Sequence, residues 1–153
     1  MTPTNATVYS LTSPEDPRPM TLSNVIKAAV AGFDLRWLAH HIFPREVAWE
    51  YCEKIAPYCE AAAKQCADAW IACIRKIGPA YTNYDRVSHE AQTPFRGWDD
   101  YESKAGPAWE ACSKNHAEAL AKYKEQSSRS MAGCNEMCGR VFWKLLTTKM
   151  SIR

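Results

Sequence analysis

The chain has 153 residues, of which 46% are hydrophobic and 11% aromatic, so it can bury the core of one compact domain. Its 19 Lys and Arg nearly balance 17 Asp and Glu, and no long block carries one sign. This balance argues against the basic face or tail of a nucleic-acid-binding protein, and we expect no nucleic-acid partner. Seven cysteines are more than a cytosolic protein usually carries and fewer than a disulfide-rich miniprotein has.

The N-terminal part predicts a tail followed by a helix. Residues 1–20 hold four prolines and no apolar run, which predicts an extended tail without a signal peptide. From Thr21, a predicted N-cap, apolar residues recur every three or four positions, so we predict an amphipathic helix over 21–43. Its charged residues argue against a membrane span. Its apolar face is expected to pack on the domain or, alternatively, to contact a membrane surface or a larger complex, with Trp37 as an interface candidate.

Four cysteines recur at a spacing of seven, and the helix that carries them is predicted over residues 45–77. Seven residues are nearly two helical turns, so these side chains share one edge: Cys52, Cys59, Cys66 and Cys73. Alanines fill most of that edge and would allow a second helix to approach closely. Pro57 predicts a kink, and Gly78-Pro79 is expected to end the helix.

The aromatic stretch 78–98 has no helical period and predicts a long loop that contacts a partner or folds back on the helices. Its interface candidates are Tyr81, Tyr84, Phe95 and Trp98. Asp99 with Glu102 forms a capping-box pattern, which opens a second helical arm over 99–147. We therefore predict an all-α fold: one helical domain, 21–153, with an amphipathic helix, a long antiparallel cysteine-bearing hairpin and an aromatic loop.

Facing residues of an antiparallel hairpin have position numbers with a nearly constant sum. Cys73 with Cys112 adds up to 185, and Cys52 with Cys134 adds up to 186, so one register aligns both pairs. The alanine edge would permit the close approach that disulfides need. These four residues are the disulfide candidates, which leaves three cysteines unpaired: Cys59, Cys66 and Cys138.

A hairpin with cysteines joined outer to outer and inner to inner resembles the coiled-coil-helix-coiled-coil-helix proteins of the mitochondrial intermembrane space. In outline it is also similar to the small cysteine-bearing accessory subunits of respiratory complex I. The resemblance covers residues 52–138. It implies a non-catalytic accessory subunit of a mitochondrial inner-membrane respiratory-chain complex, located in the intermembrane space. Its partners would be other subunits, without a cofactor or a small-molecule substrate.

Two alternatives stay open. In a copper- or zinc-binding helical protein, pairs of residues four apart could each present two ligands to one ion: Cys112 with His116, and Cys134 with Cys138. The thiols of Cys59 and Cys66 would suit Cu(I). The chain could instead be a small cytoplasmic or viral helical binding protein with seven reduced cysteines. Phosphate loops, nucleophile elbows and H-E-x-x-H motifs do not occur in the sequence, so we expect no enzyme.

Overall fold

The structure is a computed structural model that describes residues 7–8 and 18–150. It is all-α, as predicted. Two antiparallel two-residue strands, β1 (Thr7–Val8) and β2 (Arg18–Pro19), precede four helices within the described part of the chain. These are α1 (Leu22–Val30), α2 (Leu35–Ile42), α3 (Arg45–Gln92) and α4 (Trp98–Lys149). The remaining positions of the predicted N-terminal tail lie outside the described residues.

The chain divides into two compact units. Unit 1 contains α1, α2 and the parts of α3 and α4 within residues 45–64 and 129–149. Unit 2 is residues 65–128 and contains the rest of both long helices. Helices α3 and α4 pack against each other as the arms of the predicted hairpin.

The helix predicted over 21–43 is in fact two helices. Thr21 is the N-cap of α1, as predicted, because its hydroxyl accepts a first-turn backbone N–H at 3.2 Å. The chain then turns at Gly32, whose φ of 96° is a left-handed conformation that favours glycine. Asp34 caps α2 by accepting the backbone N–H of Arg36 at 3.1 Å. A turn residue followed by a capping residue therefore splits the amphipathic stretch.

The prediction of a long loop over residues 78–98 is wrong, because α3 continues through Gly78-Pro79 to Gln92. Three prolines lie inside the long helices, and each is exposed: Pro57, Pro79 and Pro107. A helical proline leaves the carbonyl four residues earlier without its N–H partner. On an exposed face water can satisfy that carbonyl, while the opposite face keeps its packing. The connection between the arms is only residues 93–97.

The second arm starts slightly earlier than the capping box predicts. Gly97 has a φ of 105°, and its carbonyl accepts the backbone N–H of Tyr101 at 3.1 Å. Helix α4 thus begins at Trp98 rather than at Asp99. It ends at Lys149, two residues past the predicted end.

The core of unit 1 is aromatic and aliphatic. Phe142 is fully buried, and its ring centroid lies 5.0 Å from that of Phe43 and 5.7 Å from that of Tyr51. The apolar faces of α1 and α2 are buried against this core. Of the alternatives given for residues 21–43, this is packing on the domain. In unit 2 the buried side chains of the two arms are small: Ala69, Cys73, Ala91, Ala105, Cys112 and Ala119.

Candidate functional site

Three thiols meet in unit 1. The Sγ atom of Cys134 lies 3.8 Å from that of Cys59 and 4.0 Å from that of Cys138. All three sulfurs are within 4.8 Å of one another. Cys134 and Cys138 are four residues apart on α4 and therefore share a helical face, while Cys59 comes from α3. We call these three residues the thiol cluster.

The thiol cluster reveals a register that differs from the predicted one. Four contacts define it, and in each the two residue numbers add up to 193: Cys59 with Cys134 in unit 1, and Cys66 with Ser127, Trp70 with Tyr123 and Tyr84 with Trp109 in unit 2. The predicted sums were 185 and 186, which is seven or eight positions away. Since the cysteines repeat every seven residues, registers one heptad apart present the same residue type to the facing helix.

The predicted disulfide pairs are therefore not formed. In the observed register Cys73 faces Leu120, which is about 12 Å along the axis from Cys112 at 1.5 Å per residue. That displacement is too large for a disulfide. Cys52 likewise does not face Cys134, and all seven cysteines are free thiols. Cys73 and Cys112 are buried in unit 2.

Cys52 has a different neighbour. Its Sγ lies 3.9 Å from Nε2 of His40 on α2. Neither Cys52 nor His40 belongs to the thiol cluster. Among the predicted metal pairs, Cys134 with Cys138 is brought together with a third ligand, whereas Cys112 with His116 is not part of any three-residue ligand group within the described residues.

The guanidinium of Arg36 contacts the thiol cluster. Nη2 of Arg36 donates a hydrogen bond to Sγ of Cys59 at 3.3 Å, and this bond raises the pKa of the guanidinium. Asp34 caps the helix that carries Arg36 and thereby fixes where the side chain leaves the backbone. Sequence reasoning missed Arg36 because its contact depends on how α2 packs against α3, which no local spacing encodes.

Burial raises the pKa of two of the three cluster thiols. It raises the pKa of Cys138 to about 12, and it also raises the pKa of Cys134. A nucleophilic cysteine requires the opposite, a lowered pKa that populates the thiolate near neutral pH. A metal ion that binds these sulfurs must therefore displace their protons.

A surface pocket of about 640 Å³ gives access to the cluster. Its lining includes all three cluster cysteines together with Arg36 and Met131. Cys59 is half-buried at this pocket, whereas Cys134 and Cys138 are buried. A small ion can thus reach the sulfurs from solvent without opening the core.

Unit 2 carries a group of contacting aromatic rings. Tyr84 contacts Tyr81 and Trp109, with ring centroids 6.4 and 5.1 Å away. Trp98 contacts Phe95 and Tyr101 at 5.2 and 6.0 Å. The neighbouring hydroxyl of Tyr101 raises the pKa of Tyr84 and so connects the two sets. We call these six residues the aromatic site: Tyr81, Tyr84, Phe95, Trp98, Tyr101 and Trp109.

The aromatic site is largely uncovered. Trp98 is 71% exposed, and Tyr81, Phe95 and Trp109 are each more than half exposed. A pocket of about 280 Å³ lies between Tyr84, Tyr101 and Trp109, with Gly106 in its wall. Four of the five predicted interface candidates belong to this site, although the stretch that holds Tyr81 and Tyr84 is helix rather than loop. The fifth, Trp37, is 54% exposed in unit 1, with its ring against His41.

Comparisons with protein-family models, with curated proteins and with solved structures gave no match. Within the described residues, no helix combines the length and the apolar character needed to cross a membrane. The thiol cluster and the aromatic site are therefore the two features that bear on function.

Proposed function

We propose that the chain is a non-catalytic helical accessory protein that binds another protein through the aromatic site of unit 2. The observation that carries this proposal is the exposure of four contacting or neighbouring large rings, Tyr81, Phe95, Trp98 and Trp109. Exposed apolar groups of this size mark interaction surfaces. Trp and Tyr are also the residues most often found at the energetic centre of protein interfaces.

The shape of the aromatic site favours one kind of contact. Its pocket is lined by the rings of Tyr84, Tyr101 and Trp109 together with Glu102, Ala105 and Gly106. The three rings suit an apolar side chain that a partner inserts as an anchor. Edge-to-face contacts, such as that of Trp98 with Tyr101, hold the surrounding rings in place before binding. A preorganised surface loses little side-chain entropy on association.

The respiratory-chain assignment and the intermembrane-space location stay predictions. Both depend on a hairpin joined by two disulfides, Cys52–Cys134 and Cys73–Cys112, and the observed register aligns neither pair. Contact of residues 21–43 with a membrane surface also stays a prediction, since the apolar face of that stretch is used in the core of unit 1. The aromatic site supports a protein partner independently of those predictions.

A substitution at Gly106 tests this proposal, because a larger side chain there would occupy the pocket of the aromatic site without removing a packing contact. A Cβ built at Gly106 meets nothing within 4 Å, so Gly106→Leu extends into the pocket while the helix gains a better former. We expect wild-type protein in its source cells to migrate in a larger assembly on native electrophoresis, and Gly106→Leu to migrate alone. Trp98→Ala should weaken the association by about 30-fold, as expected for loss of an interface anchor worth about 2 kcal/mol.

The matched control is Gly133→Leu, which makes the same change at a helical glycine in unit 1 that also has open space. It should enter the assembly as wild-type does. Equal assembly of Gly106→Leu, or a wild-type protein that migrates alone, would contradict the proposal. Cross-links from residues near Trp98 and Trp109 would identify the partner.

A further inference from the structure

We propose that the thiol cluster of unit 1 is a binding site for one Cu(I) ion, with Cys59, Cys134 and Cys138 as its three ligands. This site is separate from the aromatic site and does not depend on the proposed accessory function. Cys59 lies on α3 and the other two cysteines on α4, so the ion would link the two arms within unit 1.

The sulfur spacing fits a single bound ion. Three sulfurs each about 2.3 Å from one metal are about 4.0 Å apart when the metal lies in their plane, and about 3.8 Å apart in a tetrahedral arrangement. The two observed separations that involve Cys134 are 3.8 and 4.0 Å. The third, between Cys59 and Cys138, is no more than 4.8 Å. All three separations are therefore within about 1 Å of those that one ion requires.

The ligand set favours Cu(I) over Zn²⁺. Within the described residues, no fourth cysteine, histidine or carboxylate joins the three sulfurs. Thiolates bind both ions, but structural zinc requires four protein ligands, so the count of three argues for Cu(I). The thioether of Met131 lines the same pocket and adds to its soft character.

Arg36 offsets the charge that binding creates. When Cu(I) replaces the S–H protons, three metal–sulfur bonds form, the protons pass to solvent, and copper keeps its oxidation state. Three thiolates with one Cu(I) carry a charge of −2, which is costly in a partly buried site. The guanidinium of Arg36, 3.3 Å from the Cys59 sulfur, is placed to stabilise that charge.

The experiment is to add Cu(I) to the full chain under anaerobic conditions, as its acetonitrile complex. A Cu(I) chelator then competes with the protein for the metal. We expect one copper to be retained per chain, and X-ray absorption to show three sulfur neighbours. Cys59→Ser should weaken retention by at least about 100-fold, because it removes a direct ligand. Since Cys59 is half-buried, this variant disturbs the core less than replacement of Cys134 or Cys138.

The matched control is Cys73→Ser, which removes a buried thiol of unit 2 outside the cluster. It should retain copper as wild-type does, and circular dichroism should show unchanged helical content in both variants. Copper retention unaffected by Cys59→Ser would overturn the site. Retention of Zn²⁺ but not of Cu(I) by the wild-type chain would overturn the choice of ion.

Discussion

At the scale of single residues, Gly139 determines how closely α1 approaches α4. A Cβ built there lies 3.2 Å from the Cα of Ile26 and 3.4 Å from the Cβ of Ala29. Real Cβ atoms rarely approach a backbone atom so closely, and the backbone of Ile26 cannot rotate away. Glycine at this position therefore permits the contact that brings the first helix onto the hairpin in unit 1.

We expect Gly139→Leu to lower the free energy of unfolding by about 1–3 kcal/mol, because the larger side chain forces the two helices apart. The matched control is Gly133→Leu on the same helix, where a Cβ meets open space. That change should be neutral or stabilising by up to about 1 kcal/mol, since leucine is a better helix former than glycine. Urea denaturation of both variants measures the difference, and equal stability would contradict the close approach.

At the scale of elements, the sequence predicts the helical class and several helix ends well. Thr21 as the first cap and Arg45 as the start of α3 were both read correctly from local patterns. The end of α3 was not, because Gly78-Pro79 is a local stop signal that packing overrides. Small buried residues on both sides of it, such as Cys73 and Ala91, keep the helix against its partner arm.

Pro79→Ala distinguishes a continuous helix from a loop. Inside a helix, alanine restores the missing backbone hydrogen bond and removes a clash, so unit 2 should become more stable by up to about 3 kcal/mol. In a loop the same change would destabilise by up to about 1 kcal/mol, because it frees the unfolded chain. Thermal unfolding followed by circular dichroism gives the sign. A lower melting temperature would favour the loop that the sequence predicts over 78–98.

At the scale of the whole molecule, the candidate site depends on the hairpin register. The sequence predicts that cysteines of the two arms face each other, and this is so for Cys59 and Cys134. It could not predict which cysteines meet, because a repeat of seven leaves registers one heptad apart equally plausible on local grounds. Residues outside the repeat resolve the choice, such as Trp70 against Tyr123 in unit 2.

Mild oxidation of the metal-free chain tests this register directly. The sulfurs of Cys59 and Cys134 are 3.8 Å apart, so they should form the first disulfide, which peptide mapping by mass spectrometry would detect. The predicted register instead requires bridges from Cys52 to Cys134 and from Cys73 to Cys112.

In the observed register those two pairs are displaced by seven and eight residues, which is about 10 and 12 Å along the helices. Recovery of a Cys73–Cys112 bridge from folded protein would show that unit 2 has the other register. A Cys59–Cys134 bridge should also abolish Cu(I) retention, because it consumes two of the three proposed ligands, and reduction should restore it.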